Sequence, residues 1–192
     1  MGTGKNKTES RYGSVWIRRI AVVLLGGAIG AVFLASPSAE TTTMSDKEKK
    51  ERIESLYQKY ERKFPEVQGI TATELHRDLE GGREVILVDV RKPEEQAVSM
   101  IPGAITQQEF EDRQDSLRGE TIVTYCTAGY RSGLYAKKLQ KKGWQVLNLE
   151  GSLLAWTHAA GPLTDSQGET TKRVHVYSAD WSLEASDYDP VW

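Results

Sequence analysis

Apolar positions recur at helical spacing early in the chain. Ile53, Leu56, Tyr57, Tyr60 and Phe64 share one face and Lys and Glu fill the other, which predicts an amphipathic helix over Asp46–Phe64. From Gly69 the texture changes. Thr71-Ala-Thr-Glu74 has the form of a capping box, followed by Leu75 and Leu79 and stopped by Gly81-Gly82. Val85–Asp89, Thr121–Cys126 and Gln145–Leu149 are short, mostly apolar runs of the kind that form strands covered on both faces. Between and after them, Arg131–Lys142 predicts a helix ended by Gly143, and Gly151–His158 a shorter one. This alternation predicts an α/β domain with a central, mainly parallel sheet flanked by helices on both faces.

The pattern divides the chain into residues 1–40, 41–68, 69–162 and 163–192. In the first segment Lys5, Lys7, Arg11, Arg18 and Arg19 precede the uncharged run Ile20–Ala35, as in a signal peptide or an N-terminal membrane anchor. The basic flank stays cytoplasmic under the positive-inside rule, which places the domain on the extracytoplasmic side, periplasmic or lumenal. The second segment is a polar linker plus the amphipathic helix. The last segment carries Tyr177, Trp181, Tyr188 and Trp192, too aromatic for a free disordered end, and is expected to lie against the domain or a partner. His175 within it is expected to pack rather than reach a site.

Composition narrows the chemistry. A formal net charge of −2, from 25 Lys+Arg against 27 Asp+Glu, argues against a nucleic-acid partner. With 1 Cys there is no intramolecular disulfide framework and no cysteine-based zinc cage. Such a lone thiol suits an oxidising compartment. No metal or other cofactor is implied.

That cysteine ends a predicted strand, in Tyr125-Cys126-Thr127-Ala128-Gly129-Tyr130-Arg131-Ser132-Gly133. Ligands of open α/β sheets bind at the carboxyl ends of strands. A short loop entering a helix aims several N–H groups at one spot, where the helix dipole adds positive potential. Gly129 permits a left-handed turn, and Arg131 adds a fixed charge for an anionic group. Cys126 in such a cradle is stabilised as the nucleophilic thiolate. The competing view is a small buried residue at a strand end, but the glycine-containing loop and the following arginine favour a functional thiol.

Over roughly Ile70–Pro162 the sequence resembles the rhodanese-like domain family. The resemblance rests on Leu87-Val-Asp-Val-Arg91, Met100-Ile-Pro-Gly-Ala104, the loop Cys126-Thr-Ala-Gly-Tyr-Arg131 and Asn148-Leu-Glu-Gly-Ser-Leu-Leu-Ala-Trp156, in this order. It implies a sulfurtransferase in which Cys126 carries a persulfide. Thr127, Ala128, Gly129, Tyr130 and Arg131 would form the substrate cradle, with Asp89 and Arg91 near its mouth. The implied partners are small sulfur-containing substrates, thiosulfate or a persulfide as donor, and a thiophilic acceptor that includes a partner protein's thiol. Two departures stand out: Ser99-Met100 replaces the usual Gly-His, and Arg131 is the one charged residue of the loop, which weakens the case for thiosulfate.

A cysteine phosphatase needs Cys-x5-Arg to embrace a tetrahedral phosphate, whereas Arg131 follows Cys126 with Cys-x4-Arg spacing. Tyr125 also stands where such phosphatases carry histidine, so that reading is rejected. The remaining alternative is a membrane-tethered, non-catalytic module of the same fold that binds a partner through the 46–64 helix and the aromatic tail.

Overall fold

A computed structural model describes residues 43–192. The expected signal or anchor, including Ile20–Ala35, lies outside the described residues. Among the described residues no helix is long and apolar enough to cross a membrane.

Helix α1 (Asp46–Glu61) starts at Ser45, whose side chain accepts from the Glu48 N–H while Glu48 reaches back to the Ser45 N–H. It ends earlier than the apolar spacing predicts. Pro65 disfavours helical backbone at Phe64, so the chain leaves the helix through turns closed by Lys63 N–H to Tyr60 and Phe64 N–H to Glu61. Phe64 nevertheless remains fully buried.

The domain then alternates: β1 (Gln68–Ile70), α2 (Ala72–Glu80), β2 (Ile86–Asp89), α3 (Pro93–Gln96), β3 (Ile105–Thr106), α4 (Gln107–Arg113), β4 (Thr121–Tyr125), α5 (Tyr130–Gln140), β5 (Gln145–Leu149) and α6 (Ser152–His158). The five strands form one wholly parallel sheet in the order β1-β5-β4-β2-β3. The capping box at Thr71 forms as predicted. Strands β1 and β3 and helices α3 and α4 have no counterpart in the pattern reading, because each is too short or too polar to declare a period.

Both faces of the sheet are buried, as its continuous apolar strands require. Val123 and Tyr125 point toward Leu75, Leu153, Leu154 and Trp156. Their neighbour Ile122 points the other way, toward Phe110, Tyr135, Leu139 and Trp144. Helix α1 joins the two layers, placing Ile53 in the first and Tyr57 in the second.

Residues after Pro162 fold onto the first layer. They form β6 (Leu163–Thr164) antiparallel to β7 (Thr170–Thr171), and β8 (Arg173–His175) parallel to β9 (Asp189–Val191). Val174, Val176, Leu183 and Tyr188 are buried in that core. Contacts that fix the segment include Ala185 N–H donating to Thr157 Oγ1 at 2.9 Å, Tyr188 Oη to the Gly161 carbonyl at 2.7 Å, and Lys49 Nζ to the Glu184 carbonyl at 2.9 Å. His175 packs at the edge, its Nδ1 facing the Tyr177 N–H at 3.4 Å.

Candidate active site

Pairing of β4 ends at Tyr125, one residue before the predicted boundary, so Cys126 is the first residue of the loop that enters α5. The loop is clamped from behind by the start of α6. Leu153 N–H donates to the Cys126 carbonyl and Leu154 N–H to that of Thr127, both at 3.1 Å, and Cys126 N–H donates to Ser152 Oγ at 3.0 Å. The Leu153 and Leu154 donors are among those a helix start leaves without intrahelical partners. Asn148 Nδ2 donates to the Gly129 carbonyl at 3.0 Å and to Tyr57 Oη at 3.1 Å, tying the loop to α1. Gly129 sits at φ +96°, and a Cβ there would meet the Tyr57 ring at 2.8 Å, so both its conformation and its surroundings demand glycine.

Cys126 is buried, 2% exposed as a residue. Gly129 N–H points at Sγ from 3.2 Å and the Ser132 hydroxyl from 3.6 Å. Burial pushes the thiol up. The backbone and hydroxyl of Ser132, the charge of Arg131 and the Gly129 N–H outweigh it, so the group titrates below an ordinary cysteine. The geometry therefore favours a nucleophilic thiolate.

Arg131 does not stand free to meet an anion, as the resemblance implies. Its two terminal nitrogens each donate to an oxygen of Glu95 at 2.7 Å, and Nη2 also reaches Thr127 Oγ1 at 3.1 Å. Glu95 is 2% exposed and further accepts from Lys92 N–H at 3.0 Å and Thr127 Oγ1 at 3.1 Å. Burial alone would raise its carboxyl; the hydrogen bonds from Arg131 and Lys92, with the charges of Arg131 and Arg91, hold it at about 2. The pair is thus charged, mutually neutralised and bidentate.

Cys126, Thr127, Ala128, Tyr130 and Arg131 line one pocket of about 260 Å³ together with Tyr60, Tyr177 and Trp181. Gly129 contributes its N–H. Asp89 and Arg91 do not line that pocket; Asp89 pairs with Tyr125, beside Cys126, at the end of β2. Asp89 and Arg91 are both buried. The Arg91 side chain grips both oxygens of Asp89 and donates to the Ser99 carbonyl, pinning the end of β2 to the segment before β3.

Sequence reasoning missed Glu95, Ser132, Tyr60, Tyr177 and Trp181. Ser132 was within reach, since it follows Arg131 at the start of a predicted helix. The other four lie far from Cys126 in sequence and carry no local mark of the site.

The Rhodanese-like domain family model matches residues 71–159. The chain is 32% identical over 100 residues to YtwF of Bacillus subtilis (strain 168), which carries a provisional sulfurtransferase name; the match covers 50% of this chain and 97% of that protein. It is likewise 32% identical over 106 residues to a protein of Allochromatium vinosum named sulfurtransferase, covering 53% of this chain and 99% of the relative. Among solved structures, the thiosulfate sulfurtransferase of Pseudomonas aeruginosa superposes with a TM-score of 0.50 at 22% identity, over 62% of this chain and 23% of that one, a likeness of fold. Tyr60, Tyr177 and Trp181 all fall outside the residues that match the family model.

Proposed function

The chain belongs to the rhodanese-like domain family, and on that premise we propose that it moves a sulfane sulfur from a donor to a thiophilic acceptor through a persulfide on Cys126. The observation that carries this is the Cys126 thiol at the start of α5, facing the Gly129 N–H and the Ser132 hydroxyl and lining an accessible pocket. In the first step the thiolate attacks the outer sulfur of the donor. A bond from Sγ to that sulfur forms, the donor's S–S bond breaks, and its electron pair departs with sulfite or a thiolate. The loop N–H groups stabilise the resulting anionic persulfide. A nucleophile such as cyanide or a thiolate then takes the outer sulfur and returns the Cys126 thiolate.

The sequence holds no second cysteine to discharge the persulfide as an internal disulfide, so the acceptor is a separate molecule, a small nucleophile or a protein thiol. Delivery to the extracytoplasmic side of a membrane belongs to the same proposal and is supported by the basic flank ahead of Ile20–Ala35. Steady-state formation of thiocyanate from cyanide and a sulfane-sulfur donor tests the activity. The expected result is turnover by the wild type and none by Cys126→Ser; equal rates in the two proteins would refute it.

A further inference from the structure

The pocket over Cys126 offers a small anion little uncompensated positive charge. Thiosulfate is a small dianion and needs uncompensated positive charge. Among the described residues the one cation lining this pocket, Arg131, is bound on both terminal nitrogens by the Glu95 carboxylate. Its guanidinium carbon also lies 5.7 Å from the centre of the Tyr177 ring, within cation–π range. The other walls are largely aromatic: Tyr60, Tyr130, Tyr177 and Trp181, with the Tyr60 and Tyr130 rings 5.2 Å apart. At about 260 Å³ the space lies just below the ~300–1,000 Å³ typical of small-molecule sites. It is far larger than five heavy atoms of thiosulfate need.

Tyr177 is held in a manner that packing does not explain. Its φ is +82°, an unfavourable conformation for a side chain of this size, and yet it is 58% exposed. The neighbouring Val176 is buried and its N–H is fixed to the Val191 carbonyl at 2.8 Å. The tail thus forces an exposed aromatic ring over the active-site arginine.

From these observations we infer that the sulfur donor is a low-molecular-weight organic persulfide, R–S–SH, whose apolar R group packs among Tyr60, Tyr177 and Trp181, and that these three residues select it over thiosulfate. The inference rests on the sulfurtransferase reading above. The Cys126 thiolate attacks the terminal sulfur, a new Sγ–S bond forms, and the R–S–SH disulfide-type bond breaks. The electron pair leaves with R–S⁻, the proton stays on the transferred sulfur, and no external oxidant or reductant enters. The apolar R group gains contact area on the rings, while the neutralised Arg131–Glu95 pair offers a dianion little attraction.

The test measures second-order rates of sulfur loading onto Cys126 by rapid quench and intact mass, on the full chain, with benzyl persulfide and with thiosulfate. Dividing each rate by that of a free low-molecular-weight thiol with the same donor removes the donors' intrinsic reactivities. The normalised rates should favour benzyl persulfide by at least about tenfold in the wild type, and the Tyr177→Ala/Trp181→Ala double variant should lose most of that preference. Tyr177→Phe, which keeps the ring, should retain it, and near-UV circular dichroism reports whether the double variant is folded. A normalised preference for thiosulfate, or a preference untouched in a folded double variant, overturns the inference. Loading by neither donor in the wild type would instead defeat the sulfurtransferase reading itself.

Discussion

Replacing Glu95 by Gln separates the stability of the site from its charge. The substitution keeps the side-chain shape and removes the carboxylate that holds both terminal nitrogens of Arg131. A carboxyl held at about 2 against an ordinary 4.5 contributes about 3 kcal/mol at neutral pH. Arg131 keeps 30% side-chain exposure, and solvent screening lowers the expected loss to about 2 kcal/mol. Because the folded-state value is depressed, this stability is fully present above about 4.5 and disappears as pH falls toward about 2. Urea denaturation of wild type and Glu95→Gln should therefore differ at pH 7 and converge as pH approaches about 2. The same substitution frees the charge of Arg131. Removing one unit of repulsion some ~8 Å from a dianionic donor is worth about 4 kcal/mol at an effective dielectric of ~20, and about 1–2 kcal/mol once solvent at the partly exposed Arg131 screens it toward a dielectric of ~40–80, so thiosulfate should load Cys126 at least about tenfold faster despite the lower stability. Thiosulfate loading that falls along with stability would refute the idea that Glu95 neutralises Arg131. A stability difference that persists unchanged to the acid limit would refute the ion pair's contribution.

Three further substitutions probe the cradle and its supports. Ser132→Ala removes the hydroxyl facing Sγ at 3.6 Å, so the thiol should titrate at higher pH and its alkylation by iodoacetamide at pH 7 should slow by about threefold to tenfold, the worth of one hydrogen bond. An unchanged rate–pH profile would remove Ser132 from that role. Gly129→Ala puts a Cβ against the Tyr57 ring at φ +96° and should cost about 2–3 kcal/mol in denaturant midpoint experiments; a neutral effect would mean that the loop relaxes freely. Leu183→Ala, in the tail but 4% exposed, should cost about 2–4 kcal/mol within a single unfolding transition. Two separate transitions would show that the tail is not part of the domain's cooperative unit.

What the sequence reveals about this site divides by distance along the chain. The Cys126–Arg131 loop is legible because strand end, glycine and helix start follow one another, and the backbone alone brings their N–H groups together. The strands β2, β4 and β5 are legible because central strands of a parallel sheet must be apolar on both faces. The partner of Arg131 is not legible: Glu95 sits in the short helix α3, where an acidic residue after Pro93 reads equally well as ordinary helix-start chemistry. Arg131 therefore looks like a free cation until the fold places a buried carboxylate against it. Asp89 and Arg91 are legible as a motif beside the site, but the sequence does not say that the two grip each other as a buried pair. Tyr60, Tyr177 and Trp181 reach the pocket only through packing of α1 and the tail on the domain. Their aromatic character is visible in sequence, but their convergence on Cys126 is a tertiary fact.

The central claim is that Cys126 carries a transferable sulfur. The most direct measurement is the intact mass of the full chain after exposure to a polysulfide or thiosulfate, beside a Cys126→Ser control, before and after cyanide. A gain of one sulfur atom is expected in the wild type alone, erased by cyanide with release of thiocyanate. No gain with any donor, or the same gain in the serine variant, would contradict it.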